Sequence, residues 1–464
     1  MVFSSFTFLF LFLPLAVLCT LPWKKIWIQN AVLSAFSLVF YAWGEPVYVL
    51  LMLMSIGVNY CAGLAMERWP GRKKAVLFLT LVFNLGAIGY FKYADFLLAN
   101  ISALTGRNLP LTNIALPIGI SFYTFQILSY VIDVYRGKHP AQHNLLSLAT
   151  YISMFPQLVA GPIVWYGTVE KDLKDRKVTL TGFADGLSRC LFGLGKKVLI
   201  ANQMAIAADS IFGAAQPAPG AVYWIGALCY TLQIYFDFSG YSDMAIGMGR
   251  MFGFSFPENF RYPYIADSIT DFWRRWHISL SGWFREYVYI PLGGNRCGIP
   301  RQILNMCIVW LLTGLWHGAS WNFVLWGAYY GLLLILEKHV FSGALQRVPG
   351  FFRHCITLLL VVVGWVIFRV ETADRIIAVL GSMFTFSTAG TGSWLIGNAD
   401  AISPLWMLIP GIIGCLPMKE RIEHRFAPAP WFMPARYLLA FCIWVLSVIM
   451  LMGESYNPFI YFRF

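Results

Sequence analysis

The sequence predicts an all-α, polytopic membrane protein, and three observations lead to this prediction. The 464 residues are 58% hydrophobic and only 12% charged, whereas soluble domains carry about 25% charged residues. Gly, Trp and Phe are abundant, as is common where helices pack closely and aromatic side chains lie at the membrane surface. Long apolar runs recur along the chain, and such runs satisfy their backbone polar groups in a bilayer by forming helices.

The chain begins with four apolar runs that we interpret as transmembrane helices: 3–21, 26–43, 47–66 and 75–90. The first run lacks a basic leading region and a cleavage pattern followed by a soluble domain, so we expect a retained helix rather than a signal peptide. Lys24 and Lys25 follow the first run, and a basic cluster at 68–74 follows the third. Because Lys and Arg concentrate in cytoplasmic loops, we expect the N-terminus outside the cytoplasm.

The middle of the chain predicts both further spans and irregular elements. The segment 116–137 is apolar but carries several polar side chains, so we expect it to face protein or a cavity. Pro156 and Gly161-Pro162 break the following segment, which is tolerated where the freed backbone groups find partners. Further spans are predicted at 183–212, 221–238, 355–368, 402–415 and 437–452. Between them, 251–301 is rich in Arg, Trp and Tyr and predicts helices lying in the cytoplasmic interface.

We expect one membrane domain over 1–464, with a recognisable core over about 1–370 and transmembrane helices from about 355 to the end. The net charge of +12 indicates basic cytoplasmic loops rather than binding to nucleic acid. The nine Cys include no C-x-x-C pair, so neither a disulfide framework nor a metal site is expected.

One stretch contains an anomalous titratable group. Ile303 to Leu336 spans 34 residues without one Asp, Glu, Lys or Arg, and His317 is its single ionisable side chain. As one helix it would be about 50 Å long, against a hydrocarbon core of about 30 Å. The stretch must therefore either tilt strongly or break, and the sequence offers breaks at Gly314 and Gly318, on either side of the histidine. A broken element is allowed only where it lines a protein-walled or watery cavity, which predicts that His317 faces one.

The residues alone leave several roles open for His317. A neutral imidazole can take a proton from a hydroxyl, and burial among apolar groups favours the neutral ring. The same histidine could bridge two helices or relay protons in a transporter. A metal site is disfavoured, because no second His or Cys stands at a helical ligand spacing.

A second histidine, His277, lies in DFWRRWHISLSGWFREY. Asp271 could orient its imidazole, while Arg274, Arg275 and Arg285 could hold an anionic donor such as the phosphates of a nucleotide-linked thioester. Composition alone is equally compatible with an interfacial aromatic and arginine-rich helix. Near the first histidine, Trp316 and Asn322 are expected to support donor binding or the site.

At these residues the chain resembles the membrane-bound O-acyltransferase superfamily, and within it the bacterial alginate O-acetyltransferase branch. The matching stretches, spread over most of the first 370 or so residues, are MVFSS with FLFLFLP, GYFKYADF, LPIGISFYTFQILSYVIDVYRG, QLVAGPI, YFDFSGYSDMAIGMGRMFGF, PENF, SITDFWRRWHISLSGWFREYVYIPLGGNR and LTGLWHGASWNFVLWGAYYG. The two histidine blocks are together highly specific, whereas the sequence after about Thr372 is generic.

The resemblance implies a ring of roughly 10–12 tilted transmembrane helices, with re-entrant and interfacial helices, around a central tunnel. His317 matches the family's catalytic histidine and His277 its second characteristic histidine. The implied activity is the passage of an acetyl group from a cytoplasmic donor, acetyl-CoA or another acyl thioester, across the membrane for O-acetylation of an alginate-like exopolysaccharide or peptidoglycan. No tightly bound cofactor is implied. The implied location is the bacterial inner membrane, and the implied partner is a periplasmic acetylesterase-like protein.

Two other functions remain open at this point. One is D-alanyl transfer to teichoic acid from a carrier-protein thioester, which the basic cytoplasmic face does not exclude. The other is a non-enzymatic transporter of an acyl donor or a polysaccharide, with His317 as a gate. A transporter often shows an inverted repeat, and none is visible in the sequence.

Overall fold

The computed structural model describes residues 1–214, 216–345, 347–385, 388–453 and 459. Within these ranges the chain forms helices and connecting segments, and no β-strand. This confirms the predicted all-α fold class.

The α-helices are α1 Leu13–Thr20, α2 Ile26–Gly44, α3 Tyr48–Arg68, α4 Lys73–Ile88, α5 Ala94–Thr105, α6 Ile120–Arg136, α7 Leu145–Ser153, α8 Phe155–Leu158, α9 Tyr166–Lys174, α10 Leu180–Gly195, α11 Asn202–Gly213 and α12 Gly220–Met251. They continue with α13 Ile269–Arg275, α14 Ile278–Phe284, α15 Ile299–His317, α16 Trp321–His339, α17 Ser342–Leu345, α18 Gly350–Arg369, α19 Ala373–Phe384, α20 Thr391–Gly397, α21 Ala399–Ile402, α22 Leu408–Gly414, α23 Met418–Phe426 and α24 Phe432–Met452. Short π-helical segments lie at Thr7–Phe12, Gly89–Tyr93, Lys196–Ala201 and Arg285–Tyr289. Single 3₁₀ turns lie at Pro70–Arg72, Pro263–Ile265 and Leu405–Met407.

In the described part of the chain, six helical stretches are long and apolar enough to cross a membrane: Ile26–Gly44, Tyr48–Arg68, Pro70–Thr105, Leu180–Gly213, Gly350–Arg369 and Phe432–Met452. A seventh span is possible if the pair Thr391–Gly397 and Ala399–Gly414, bent by 104°, crosses as one broken element. The chain is therefore a multi-pass membrane protein. The ring of roughly 10–12 tilted helices stays a prediction.

The backbone divides into two compact units, the first formed by Met1–Cys190 with Ser242–Glu258. Its interior is polar as well as apolar. The Ser34 hydroxyl lies 2.8 Å from that of Thr150, and the buried Arg176 guanidinium donates to Asn30 Oδ1 at 2.6 Å. Buried polar groups in an apolar surrounding need such partners.

The second unit comprises Leu191–Tyr241 and the described residues from Asn259 onward, and it contains both predicted histidines. Its core is dominated by aromatic side chains, among them Trp276, Trp326 and Trp365. Within it Lys197, in the apolar run 183–212, lies 2.5 Å from Asp237, and both are almost fully buried. The prediction of a single domain over 1–464 stays a prediction.

The 34-residue apolar stretch folds as a helical hairpin rather than one long helix. Helix α15 ends at His317, Gly318 is extended, and α16 begins at Trp321. A Cβ at Gly327 would overlap the Trp310 carbonyl oxygen, and one at Gly314 would overlap that of Phe323. The two helices thus touch backbone to backbone and run in opposite directions. The predicted break at Gly318 is confirmed, whereas Gly314 lies inside α15 and serves the close approach.

Candidate active site

His317 lies at the C-terminal end of α15 and is 4% exposed. Three aromatic rings surround its imidazole, with centroid distances of 5.0 Å to Trp316, 5.0 Å to Trp326 and 5.3 Å to Phe368. Their planes stand at 79–81° to the imidazole, the edge-to-face arrangement that aromatic pairs favour. These apolar walls leave the charged imidazolium poorly solvated, so they favour a neutral ring.

Gly318, directly after α15, lets the Phe323 ring pack against the end of this helix. A Cβ at Gly318 would overlap the Phe323 ring, and that ring packs against Phe368 at a centroid distance of 4.9 Å. Asn322, one residue earlier on α16, donates its Nδ2 to the Phe368 carbonyl oxygen at 3.1 Å. Asn322 therefore supports the wall of the His317 site rather than the imidazole itself. The roles predicted for Asn322, supporting the site or binding the donor, stay predictions.

His277 occupies the junction between α13 and α14 and is 1% exposed. Its φ of 43° places it in the left-handed region, a conformation that costs a non-glycine residue about 1–3 kcal/mol and persists only where the surroundings enforce it. Two backbone hydrogen bonds do so. Ile278 N–H donates to the Asn259 carbonyl oxygen at 3.0 Å, and Arg261 N–H donates to that of Arg275 at 2.9 Å.

Asn259, rather than Asp271, contacts the imidazole of His277. The Asn259 Oδ1 atom lies 3.0 Å from His277 Nδ1, and Asn259 is fully buried. Asp271 instead accepts from Arg275 Nε at 2.8 Å, where both side chains are about 30% exposed. The prediction that Asp271 orients His277 is therefore wrong. The Asp271 carboxylate is paired instead with Arg275, which lies four residues further along α13 on the same helix face.

The three arginines of the predicted donor site differ in their surroundings. Arg275 is held by Asp271 and also donates to the Arg261 carbonyl oxygen at 3.4 Å. Arg274 and Arg285 are exposed. Exposed guanidinium groups are suited to binding phosphate oxygens, so Arg274 and Arg285 remain the candidates for an anionic donor.

Trp316 brings the two histidines into one site. Its ring centroid lies 5.8 Å from that of His277 and 5.0 Å from that of His317. On its other side, the His277 ring meets Phe238 edge-on at 4.7 Å. Burial, and then the nearby His317, lower the pKa of His277 well below its ordinary value. This imidazole is therefore neutral at physiological pH.

Sequence reasoning missed Asn259, Trp326 and Phe368. Asn259 belongs to the PENF stretch, which carried family resemblance without an assigned role. Trp326 and Phe368 are aromatic residues in apolar helices, and nothing local distinguishes them from core residues. Across the described residues, no group of three or more His, Cys, Asp or Glu could hold a metal ion. The site thus consists of two buried imidazoles in an aromatic enclosure, suited to moving a proton from a hydroxyl.

The sequence pattern of the membrane-bound O-acyltransferase family matches residues 136–370, a range that contains both histidines. The chain belongs to this family. Membrane-bound O-acyltransferases move an acyl group onto a hydroxyl, and the chain is accordingly an O-acyltransferase.

Three relatives in the family illustrate the range of acceptors. The probable alginate O-acetylase AlgI of Pseudomonas aeruginosa is 46% identical over 84% of this chain and 76% of its own length. The peptidoglycan O-acetyltransferase of Helicobacter pylori is 35% identical over 82% of this chain and 80% of its own. The teichoic acid D-alanyltransferase of Bacillus subtilis is 30% identical over 47% of this chain and 58% of its own.

Proposed function

We propose that this membrane-bound O-acyltransferase takes an acetyl group from a cytoplasmic thioester, acetyl-CoA, for the O-acetylation of a cell-envelope polysaccharide. The observation that carries the proposal is that two buried histidines contact the same tryptophan. The Trp316 ring centroid lies 5.8 Å from that of His277 and 5.0 Å from that of His317. Two imidazoles buried in one aromatic enclosure fit proton transfer from a hydroxyl better than a gate open to water.

In the proposed reaction, His317 removes the proton of the acceptor hydroxyl. The hydroxyl oxygen then forms a bond to the acetyl carbonyl carbon, the carbon–sulfur bond of the thioester breaks, and the thiolate leaves and is protonated. His277 positions or polarises one reactant. General base catalysis of this kind is typically worth about 10²–10⁴ in rate. The exposed Arg274 and Arg285 would attract the phosphates of the donor.

We favour acetyl over D-alanine as the transferred group, because the O-acetyltransferases match a larger share of this chain than the D-alanyltransferase does. The alginate and peptidoglycan O-acetyltransferases match 84% and 82% of this chain, whereas the D-alanyltransferase matches 47%. We further propose that the chain lies in the bacterial inner membrane with its N-terminus outside. A periplasmic acetylesterase-like protein would complete the transfer, so the immediate acceptor hydroxyl belongs either to that partner or to the polysaccharide.

The experiment compares cells that carry the wild-type chain, His317→Ala or His143→Ala. His143 is the matched control, because its side chain is 72% exposed and pairs with Glu67 at 2.8 Å. The acetyl and D-alanyl contents of the envelope polymers are measured together with the amount of protein in the membrane. Loss of acetyl ester in His317→Ala alone, at an unchanged protein level, is expected. Normal acetylation in that variant contradicts the assignment, and loss of D-alanine instead would identify the other reaction.

A further inference from the structure

Asn259 lies in the segment before α13 and is completely buried. Its Oδ1 atom has three polar neighbours: His277 Nδ1 at 3.0 Å, the Ser279 backbone nitrogen at 3.3 Å and Ser279 Oγ at 2.9 Å. Ser279 Oγ also lies 3.5 Å from His277 Nδ1. The carboxamide, the hydroxyl and the imidazole therefore form one compact cluster.

The chemistry of this cluster identifies the atom that faces the histidine. A backbone N–H can only donate a hydrogen bond, so the Asn259 atom that faces the Ser279 nitrogen must be the carbonyl oxygen and not the amide nitrogen. The orientation of an Asn side chain is commonly ambiguous, and here the fixed donor on Ser279 resolves it. The same oxygen faces His277 Nδ1.

The protonation state of the imidazole follows from that oxygen. An amide oxygen carries no hydrogen, so His277 Nδ1 must be the donor. A neutral imidazole has one N–H, and a ring that is protonated at Nδ1 therefore carries its lone pair at Nε2. In its neutral form His277 can accept a hydrogen bond at Nε2 and cannot donate one there.

The backbone holds this arrangement in place. Ile278 N–H donates to the Asn259 carbonyl oxygen at 3.0 Å, so Asn259 contacts the His277–Ser279 segment through its main chain and its side chain. The left-handed φ of 43° at His277 is the local strain that these contacts offset. These contacts on its main chain and its side chain hold Asn259 next to the His277 imidazole.

We propose that Asn259 is a positioning residue for His277, holding Nδ1 protonated so that Nε2 presents a lone pair to a hydrogen donor. Under the proposed acetyl transfer, on which this inference rests, His277 then holds a group that carries a hydrogen, such as a hydroxyl. The acetyl carbonyl oxygen carries no hydrogen, so neutral His277 does not polarise it. Of the two roles open to His277, it therefore positions a reactant, by accepting a hydrogen bond from it at Nε2.

The test is a double-mutant cycle on acetyl transfer by the purified full-length chain in lipid vesicles. Asn259→Leu keeps the size of the side chain and removes the acceptor. Removing an oriented group of this kind lowers rates by about 10- to 100-fold, and we expect this loss in kcat, with KM for acetyl-CoA changed less than about threefold. In a His277→Ala background the same substitution should cause no further loss, because its effect passes through the imidazole.

Asn305→Leu is the matched control, because Asn305 is also fully buried and donates to the Leu292 carbonyl oxygen at 3.2 Å. Its effect on kcat should be the same in both backgrounds. An Asn259→Leu loss that is equally large in the His277→Ala background, or no loss at all, overturns the proposal.

Where Asn259→Leu does not accumulate, Asn259→Asp and Asn259→Ala give the same comparison, since Asp keeps an oxygen acceptor and Ala has none. With His277 present, we expect the Asn259→Asp variant to transfer acetyl at least about tenfold faster than the Asn259→Ala variant. In the His277→Ala background, the two rates should be equal. Equal rates with His277 present, or the same ratio in both backgrounds, contradict the inference. A wild-type chain that transfers no acetyl group would instead contradict the proposed function itself.

Discussion

His277 has a neutral, buried imidazole, and its lowered pKa predicts how stability depends on pH. In the unfolded chain this histidine takes a proton near pH 6.5, whereas in the folded chain it stays neutral to well below that value. Lowering the pH below about 6.5 therefore favours unfolding. Each pH unit between the two pKa values removes up to about 1.4 kcal/mol of the free energy of unfolding.

We expect unfolding in detergent, followed from pH 7.5 to pH 5, to show a smaller loss of stability for His277→Gln than for the wild-type chain. The difference between the two curves isolates the contribution of this group from that of the other six histidines. Parallel curves for the two proteins would contradict the lowered pKa.

At the residue scale, the sequence singled out His317 as a titratable group in an apolar run and His277 by its arginine-rich block, and the structure brings both against Trp316. The sequence did not predict the partner of His277. Asp271 stands six residues before His277 and was favoured by proximity in the chain, whereas Asn259 stands 18 residues away. His277 lies in a left-handed conformation between α13 and α14, and nothing in the residue types around it reveals that conformation.

At the element scale, the α15–α16 hairpin places His317 where the apolar stretch turns back on itself. Gly314 in α15 packs against the Phe323 backbone of α16. We expect Gly314→Ala to lower the free energy of unfolding by about 1–3 kcal/mol, since the added methyl group overpacks this contact. Transfer activity should fall as well, because His317 lies one turn further along α15.

Gly381→Ala is the control for this change, because Gly381 lies in α19 with no atom within 4 Å of an added Cβ. In such a helix position Ala is intrinsically more favourable than Gly by about 1 kcal/mol. The two substitutions should therefore change thermal stability in opposite directions. A Gly314→Ala variant as stable as Gly381→Ala would show that the two helices are not in close contact.

The hairpin could be predicted in part. Helix length against bilayer thickness indicated a break, and the break occurs at Gly318. The function of Gly314 could not be read from the sequence, because a glycine that ends a helix and a glycine that allows close helix packing have the same local pattern.

At the scale of the whole molecule, the basic residues predict the direction in which the chain crosses the membrane. Loops rich in Lys and Arg remain in the cytoplasm, so the loop with Arg72 should be cytoplasmic and the one with Arg107 outside. Both arginines are exposed and lie at opposite ends of the helical stretch Pro70–Thr105. Reporters that are active only outside the cytoplasm should give signal after Arg107 and not after Arg72. The reverse pattern would contradict the proposed orientation, in which the N-terminus lies outside.

The fold class followed from composition, but the number of spans did not. Apolar runs mark helices, yet the long α12 contains Asp237 and Asp243, so hydropathy alone does not distinguish a buried helix from a lipid-facing span. The two compact units also recombine distant stretches, with Ser242–Glu258 joining Met1–Cys190. Such long-range contacts depend on side-chain packing that local patterns do not encode.

In the proposed reaction, His317 is the base that deprotonates the acceptor hydroxyl for its attack on the thioester. The most direct test of this role is the single-turnover rate of acetyl transfer from radiolabelled acetyl-CoA, measured on the purified chain in vesicles with its envelope acceptor. We predict that His317→Ala lowers this rate by at least about 10²-fold, while His143→Ala stays within about twofold of wild type. A His317→Ala protein that transfers acetyl at the wild-type rate would contradict this role for His317.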